Sequence, residues 1–320
     1  MNSKFSKFSI ILTASLLSLG TTSFGIINHL PSALGAPANE SHVERQLHSL
    51  NRVIATELSG VAEFPYWKHI GTVGMGSGIY LGEGSVLTSA HVGCHPFVME
   101  DGSRFQPDYA SWRILQNADG TRSDLALFRV RFDQSSALAK LGSLPVSSAH
   151  PQPSSPVLLV GNGFTQGKQP MTVSSGGKVL GVLGYRVEPQ RGMAWCLNRT
   201  SQALDSSVET GKDFSTRCFT TQFDRTHFAG QAADGDSGGG AFSYNRTQKR
   251  WELSGCIIAV SSQRLSVTFG SRTFLGDLDS YASQIPGSHR AISEPVIAVT
   301  VATPKAPAIQ AQPIAIGAAR

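Results

Sequence analysis

The chain has 320 residues, of which 40% are hydrophobic and 15% charged, and its formal net charge is +5. This composition is typical of a folded protein of one large or two medium domains and excludes a disordered chain. No run of lysines or arginines accompanies the mild positive charge, so nucleic-acid binding is not expected.

The N-terminus has the pattern of a secretory signal. Two lysines precede the apolar stretch 10–19, as in the charged and hydrophobic regions of signal peptides. Because a membrane span needs ~20 apolar residues, cleavage is favoured over an uncleaved anchor, and no stable membrane span is expected. Residues 1–38 are predicted to be a signal peptide, cut after Ala38 or earlier near Gly25. The protein is expected to be secreted, with a periplasm as the alternative location.

The remaining chain divides by composition. Short apolar segments broken by glycines run from Ile70 to Val92 and resume at Val157, on either side of a Ser/Pro-rich stretch. Short strands with frequent turn signals predict an all-β protein of barrels or sandwiches. The predicted divisions are a candidate propeptide at 39–52, a first β domain at 53–150, a second β domain with a terminal helix at 151–286, and a low-complexity Ala/Pro-rich tail at 287–320.

One helix is predicted near the end of the second domain. Apolar residues recur there at helical spacing, and a Pro-Gly pair ends the pattern. These apolar positions are Leu275, Leu278, Tyr281, Ala282 and Ile285. Four prolines in the tail interrupt any membrane-spanning helix there. The tail is either a flexible extension or an interaction segment.

Four cysteines follow the predicted signal peptide. Disulfides form in the oxidising compartments that exported proteins reach, and four cysteines allow three pairings. A bond between Cys196 and Cys218 is preferred because both lie in the same later stretch. Cys256 lies in an apolar run, where a buried free thiol is an equal alternative.

The segment Gly235–Gly239, Gly-Asp-Ser-Gly-Gly, carries the strongest chemical signal. Flanking glycines allow a sharp turn and the close approach of a substrate to the backbone. Ser237 is therefore a candidate nucleophile, and the N–H groups of Gly235 and Ser237 are candidate donors to an oxyanion. A serine hydroxyl needs a histidine base and usually a carboxylate that orients the histidine.

Chain order separates two classes of hydrolase that share this segment. In α/β-hydrolases, which carry Gly-x-Ser-x-Gly, the histidine follows the serine, but here only His289 in the tail does so. Upstream, His91 follows an apolar strand and a turn of small residues, and Asp124 begins the apolar strand 124–128. A partly buried carboxylate needs a partner, which the imidazole N–H of His91 supplies.

The three segments, in this order, resemble the trypsin/chymotrypsin family of serine peptidases. Ser89-Ala90-His91 is similar to the family's Ala-Ala-His, Asp124-Leu-Ala-Leu to its Asp-Ile-Ala-Leu, and Gly235–Gly239 to its nucleophile motif. The match covers residues 53–285. The resemblance implies two antiparallel six-stranded β-barrels with a C-terminal helix. It also implies a catalytic triad of His91, Asp124 and Ser237, and an oxyanion hole formed by Gly235 and Ser237.

The resemblance also implies an activation step. In the family, a new N-terminal amine pairs with the aspartate just before the nucleophile, which is Asp236 here. A zymogen cut after Arg52 that exposes Val53 is therefore predicted. Ala55 and Thr56 stand where the family usually has two glycines.

A specificity pocket is implied at three positions, Gln231, Val260 and Gly270. Gln231 stands six residues before Ser237, where trypsins carry an aspartate. A neutral amide cannot form an ion pair with arginine or lysine, so trypsin-like cleavage is not expected. Val260 stands where a glycine at the pocket edge is common, and it narrows the predicted pocket.

Together these features predict a secreted, monomeric serine endopeptidase that cleaves protein or peptide substrates through an acyl-enzyme. No cofactor is expected, and a metal site through His91, Cys94 and His95 is disfavoured because no further ligands cluster there. The alternatives are a catalytically silent binding module, an esterase, and an envelope quality-control peptidase. The last class often carries an added peptide-binding domain, for which residues 286–320 are too few.

Overall fold

The structure is a computed structural model that describes residues 26–28, 42–201, 206–211, 213–226, 229–288, 309–310 and 312–313. Most of the predicted signal peptide and tail lies outside these residues. The strands of the first half are β1 (Ile27–Asn28), β2 (Ile70–Val73), β3 (Gly76–Gly82), β4 (Ser85–Thr88), β5 (Phe97–Val98), β6 (Arg104–Phe105), β7 (Pro107–Gln116) and β8 (Arg122–Val130). The later strands are β9 (Pro156–Gly161), β10 (Phe164–Ser175), β11 (Lys178–Arg191), β12 (Ala194–Arg199), β13 (Ser206–Thr210), β14 (Phe214–Gln222), β15 (Gly230–Gln231), β16 (Gly240–Asn245), β17 (Arg250–Val260), β18 (Ser266–Thr268), β19 (Arg272–Asp277), β20 (Ile309–Gln310) and β21 (Gln312–Pro313).

Two large sheets account for most of these strands. The first sheet has seven strands in the order β6-β5-β2-β3-β4-β8-β7. The second has nine, in the order β12-β9-β16-β17-β19-β14-β13-β20, with β21 paired to β17. Pairing within both sheets is antiparallel except between β13 and β20. The predicted all-β class with two antiparallel halves is confirmed, although each sheet has more than the six strands expected.

Burial explains why the central strands read as apolar runs. In the first sheet, β3 and β4 are buried along their whole length, so both of their faces are covered and the sequence does not alternate. In the second sheet, β17 is buried from Trp251 to Val260. β4 ends just before the turn that carries His91, and that turn contacts β17 at Ile257.

Two smaller sheets complete the described strands. One consists of the long β10–β11 hairpin and β18, and the other pairs β1 with β15. Ile26 and Ile27 are fully buried, although they fall within the predicted signal peptide. A cut after Ala38 would remove this strand from the mature chain, whereas the earlier predicted cut near Gly25 would retain it.

A helix, α1 (His42–Glu57), occupies most of the segment that was predicted as a propeptide. Leu50, Val53 and Ile54 are buried in the largest core cluster, at the spacing that places them on one helix face. The indole Nε1 of Trp195 donates to Gln46 O at 3.1 Å, which anchors the helix to β12. The predicted boundary after Arg52 therefore falls inside a continuous, packed helix.

Truncation of the buried face of α1 tests whether this helix belongs to the folded core. We expect Leu50→Ala to lower the free energy of unfolding by about 2–5 kcal/mol, because the substitution leaves a cavity in a fully buried position. Urea denaturation measures the change. The exposed Glu57→Ala on the same helix is the control and should stay within about 0.5 kcal/mol of the parent. Equal stability of Leu50→Ala and the parent would show that α1 does not pack on the core.

The predicted C-terminal helix is shorter and begins later than its apolar spacing suggests. It is a 3₁₀ helix, Leu278–Gln284, and the Asp277 carboxylate caps it by accepting from Asp279 N at 3.3 Å. Leu275 instead lies in β19, where it pairs with Phe219 and Ile257. Leu275 fitted the helical spacing by coincidence, because the buried strand β19 leads directly into the helix and contributes an apolar residue at that position.

None of the four cysteines forms a disulfide, so the preferred Cys196–Cys218 bond is wrong. Cys196 on β12 and Cys218 on β14 are both buried, but they belong to two separate core clusters. Cys256 is a buried thiol, as the alternative interpretation predicted. Among the helices of the described residues, none has the length and apolarity needed to cross a membrane.

Candidate active site

His91 lies directly after β4, on a short 3₁₀ helix that spans Ala90–Val92. The residue before this helix, Ser89, is fully buried and donates its hydroxyl to Ile257 O at 2.7 Å. This bond ties the histidine turn of the first sheet to β17 of the second.

Asp124 lies on β8, which pairs with β4, and its side chain is fully buried. Its Oδ2 is 2.7 Å from His91 Nδ1, and its Oδ1 accepts from the backbone N–H of His91 at 2.9 Å. The backbone N–H of Asp124 donates to Thr216 Oγ1 at 2.7 Å. Since both carboxylate oxygens bind one residue, the imidazole is fixed in orientation with its proton on Nδ1, and Nε2 is left as a proton acceptor.

Ser237 lies in the turn between β15 and β16. Gly238 N donates to Ile257 O at 2.8 Å, the same carbonyl that the histidine turn binds. A Cβ at Gly238 would lie 2.0 Å from Ser77 O, and its φ is +89°, so only glycine fits there. Ser237 Oγ and His91 Nε2 are both buried, and neither has a hydrogen-bond partner within the described part of the chain. The structure thus joins His91 and Asp124 directly and brings the Ser237 turn against the histidine turn.

The backbone of this turn fixes the direction of two N–H groups. In a trans peptide the C=O and N–H point in opposite directions. Asp234 O accepts from the first N–H of β10 at 2.7 Å, and Asp236 O accepts from Gly239 N at 2.8 Å. The N–H groups of Gly235 and Ser237 therefore point away from those partners. No acceptor among the described residues binds either N–H, so both are available to an oxyanion.

Asp236 is fully buried in a space that two glycines leave open. A Cβ on Gly161 would lie 2.3 Å from Asp236 Oδ1, and a Cβ on Gly163 would lie 2.5 Å from Asp236 Cγ. Asp236 Oδ2 accepts from Ala233 N at 2.9 Å. Burial raises the pKa of Asp236 to about 7, although the Ala233 N–H and the positive charge of Arg191 both act to lower it. An additional cation close to this buried carboxyl group would stabilise its charged form.

A methyl group at position 163 tests whether this space controls the turn. Gly163→Ala must displace Asp236, so we expect kcat/KM for peptide cleavage to fall about 10²-fold, the effect of losing one oxyanion donor. Steady-state kinetics measure the change. Gly181→Ala is the control, because nothing lies within 4 Å of a Cβ at that glycine. Unchanged kcat/KM in Gly163→Ala would show that the position of Asp236 does not govern the turn.

The predicted activation residues do not lie together. Arg52 and Val53 are inside α1, where Arg52 is exposed and contacts His48, and Val53 is buried in the core. Neither approaches Asp236 by any described contact, so a cut after Arg52 would have to dismantle α1 before Val53 reached Asp236.

A different buried segment approaches Asp236. Ile27 of β1 pairs with Gln231 in antiparallel register, so the backbone that precedes Ile27 lies on the side of Ala233, whose N–H binds Asp236. Asp236 Oδ1 is buried and has no hydrogen-bond partner in the described ranges. Ile26 is fully buried in the same core cluster as Ala232. Its burial was not predicted from the sequence, although the earlier predicted cut near Gly25 would leave it at the N-terminus.

The predicted pocket residues lie in two places. Gln231 is fully buried and its Nε2 donates to Ser262 Oγ at 2.8 Å, two residues beyond Val260, which ends β17. Val260 pairs with Gln312 of β21. Gly270 lies in the turn before β19 with a φ of +90°, and a Cβ at this glycine would meet nothing within 4 Å. Gln231 is thus bonded to the segment that follows Val260, whereas no described contact joins Gly270 to either residue.

Ser77 and Arg191 contact the site but were missed by the sequence analysis. Ser77 N donates to Ser237 O at 2.7 Å, and Ser77 Oγ donates to Gly235 O at 3.0 Å. The glycines on both sides of Ser77 are the one sequence signal for its close approach. For Arg191 there is none, because it ends a long hairpin whose placement local sequence does not encode. No cluster of three or more metal-ligating side chains occurs among the described residues.

The chain matches a known peptidase family in its sequence, and two solved peptidase structures match it at low identity. The family of the trypsin-like peptidase domain matches residues 76–248, more than half of the chain. The active form of the Rv3671c protease from M. tuberculosis is 14% identical, with 88% of this chain and 97% of that chain covered and a TM-score of 0.42. The HtrA-type protease AlgW with decapeptide is 15% identical, with 65% and 50% covered and a TM-score of 0.39. No curated protein sequence matches significantly. The chain belongs to the family of trypsin-like peptidase domains.

Proposed function

We propose that the protein is a secreted serine endopeptidase in which His91, Asp124 and Ser237 form the catalytic triad. One observation carries the proposal. Asp124 occupies both the backbone N–H and Nδ1 of His91, while His91 Nε2 and Ser237 Oγ are buried in adjoining turns and neither is hydrogen-bonded, to the other or to any other group in the described part of the chain. Catalytic hydrogen bonds are often long without substrate and shorten in the complex, so this base and hydroxyl are suited to proton transfer.

Acylation begins with attack of Ser237 Oγ on the carbonyl carbon of the scissile bond. His91 Nε2 takes the hydroxyl proton, and the carboxylate of Asp124 stabilises the imidazolium that forms. The N–H groups of Gly235 and Ser237 donate to the oxyanion. Collapse of the tetrahedral intermediate breaks the C–N bond, and His91 returns the proton to the leaving amine.

Deacylation repeats these steps with water as the nucleophile. His91 Nε2 takes a proton from water, the resulting hydroxide attacks the acyl carbon, and the same two N–H groups hold the second oxyanion. The ester bond to Ser237 Oγ breaks, and His91 returns the proton to the serine. The protein is then ready for another substrate, without a cofactor.

The proposed substrates are proteins or peptides without arginine or lysine before the cut. Gln231 is neutral and its Nε2 already binds Ser262, so position 231 offers no carboxylate for a basic side chain. A peptide library incubated with the purified protein, beside Ser237→Ala, tests both parts of the proposal. We expect cleavage by the parent alone, at sites not dominated by arginine or lysine.

Other outcomes of the same experiment point to other functions. Binding of peptides without cleavage would support a catalytically silent module. Hydrolysis of esters without cleavage of any peptide would support an esterase. Cleavage mainly after arginine or lysine would contradict the pocket proposed around Gln231.

Activation by a new N-terminus at Val53 stays part of the proposal, and β1 adds a second candidate at Ile26. A cation near Asp236 would stabilise its buried carboxylate. Ile26 is already buried next to that region, whereas Val53 would require α1 to separate from the core. N-terminal sequencing of the active, exported protein distinguishes them: a start at Val53 supports the cut after Arg52, and a start at or before Ile26 opposes it.

A further inference from the structure

Arg191, the last residue of β11, binds four backbone carbonyls with one guanidinium. Its Nε and Nη2 donate to Asn162 O at 2.9 and 2.6 Å. Its Nη1 donates to Gly74 O at 3.1 Å and its Nη2 to Gly76 O at 2.6 Å. Nη2 also donates to Gly235 O at 3.3 Å. Its contacts therefore serve to hold backbone from several segments in one place.

These carbonyls come from both halves of the protein. Gly74 lies in the turn between β2 and β3 of the first sheet, Gly76 begins β3, and Asn162 follows β9 of the second sheet. The fourth carbonyl, Gly235, belongs to the turn that carries Ser237. A planar guanidinium with five N–H donors in fixed directions can bind such a set, whereas a lysine ammonium on a flexible stem cannot. Arg191 therefore joins the two halves at the edge of the candidate active site.

The hydrogen bond from Arg191 to Gly235 O is the contact that bears on catalysis, because Gly235 also supplies a candidate oxyanion donor. Gly235 has a φ of +88°, and a glycine can leave such a conformation without steric penalty. Its C=O belongs to the peptide between Gly235 and Asp236, which lies between the two peptides that carry the N–H groups of Gly235 and Ser237. Rotation of this middle peptide would change the orientation of those two N–H groups relative to each other. Two donors oppose that rotation by binding the carbonyl, namely Ser77 Oγ at 3.0 Å and Arg191 Nη2. Arg191 is the one of these two that carries a charge, which strengthens its hydrogen bonds.

We propose that Arg191 is a positioning residue that holds Gly235 so that the N–H groups of Gly235 and Ser237 face the oxyanion. The inference rests on the proposed function, since an oxyanion forms only if Ser237 attacks a carbonyl. Arg191 touches neither the substrate nor the reacting atoms. Its loss therefore weakens the stabilisation of the transition state and leaves the binding of the ground-state peptide largely unchanged.

Three variants test this role against a plain stabilising role. In Arg191→Ala, we expect kcat to fall about 10²-fold and KM to change by no more than about 2-fold, as for the loss of one oxyanion donor. The kcat of Arg191→Lys should lie between those of Arg191→Ala and the parent, because lysine keeps the positive charge but lacks the planar set of guanidinium N–H donors. Arg186→Ala, on the exposed face of the same strand β11, is the matched control and should keep the parent kcat.

Chemical rescue supplies a readout that altered stability alone would not move. Millimolar methylguanidinium should raise the kcat of Arg191→Ala toward that of Arg191→Lys and should leave Ser237→Ala inactive. If Arg191→Ala does not fold, the kcat and KM of Arg191→Lys, which keeps the charge and most of the volume, decide the matter. A parent-like kcat in Arg191→Ala, or in Arg191→Lys when the alanine variant is unfolded, would overturn the proposal.

Failure of this inference and failure of the proposed function give different results. If the parent cleaves peptides and Ser237→Ala does not, the peptidase proposal stands, and an unaffected Arg191→Ala removes the positioning role alone. A parent that shows no turnover dependent on Ser237 removes the peptidase proposal, and with it the role of Arg191.

Discussion

Replacement of Ser237 by alanine is expected to lower kcat for peptide cleavage by about 10⁶-fold, the scale found when a triad nucleophile is removed. The hydroxyl is the attacking atom, and no other side chain of the turn Gly235–Gly239 can replace it. The fold should persist, because Ser237 Oγ has no hydrogen-bond partner among the described residues and its loss leaves no donor or acceptor unpaired. Initial rates with the best library peptide, together with a thermal denaturation curve, measure both parts.

Ser243→Ala is the matched control for this substitution. Ser243 lies on β16, which follows the nucleophile turn, and its hydroxyl binds Ser254 at 3.0 Å. We expect its kcat to equal that of the parent. If Ser237→Ala kept its activity within tenfold of the parent, Ser237 would not be the nucleophile.

Asp124→Asn should lower kcat by about 10⁴-fold, as amide replacement of a triad aspartate does. Both carboxylate oxygens of Asp124 accept hydrogen bonds from His91. An asparagine amide offers one acceptor and one donor group, and a donor opposite Nδ1 stabilises the tautomer with the proton on Nε2. In that tautomer Nε2 no longer accepts the proton of Ser237. Side-chain volume is almost unchanged, so the geometry of the site should remain.

The control for Asp124→Asn is Asp108→Asn on β7. The Asp108 carboxylate is 3.6 Å from Arg131 on the surface, and exposed ion pairs of this kind contribute little. Its kcat should match that of the parent. Near-normal kcat for Asp124→Asn at neutral pH would contradict the proposed role of the carboxylate in orienting His91.

The three residues of the proposed triad could be selected from the sequence because each lies in a short segment with its own local signal. Glycines flank Ser237, an apolar strand precedes His91, and Asp124 begins another apolar strand. The order of the three along the chain then excluded the α/β-hydrolase interpretation. The all-β class followed from the same short strands and frequent glycines.

Two structural features at the N-terminal side were not predicted from the sequence, and both have the same physical cause. Asn51 and Arg52 separate Leu50 from Val53 and Ile54 in α1, and the segment was interpreted as a candidate propeptide instead of a helix with one buried face. Ile26 and Ile27 lie beside a secretion-like apolar stretch, and their burial against β15 depends on contacts more than 200 positions away along the chain. Composition carries no information about such distant partners.

Other features depend on three-dimensional placement alone. The Cys196–Cys218 pairing was a guess from proximity in sequence, but the two thiols lie in separate core clusters. The space that Gly161 and Gly163 leave for Asp236 appears only when β9 and the nucleophile turn are packed together. Arg191 reaches Gly235 across a distance in sequence that no motif spans.

The central claim is that His91 activates Ser237. Reaction with a fluorophosphonate, followed by peptide mass mapping and a rate measurement, tests it most directly. We predict a single covalent adduct on Ser237 in the parent, and a much slower reaction in His91→Ala. An adduct on any other residue, or an equal rate of labelling in the parent and His91→Ala, would contradict the claim.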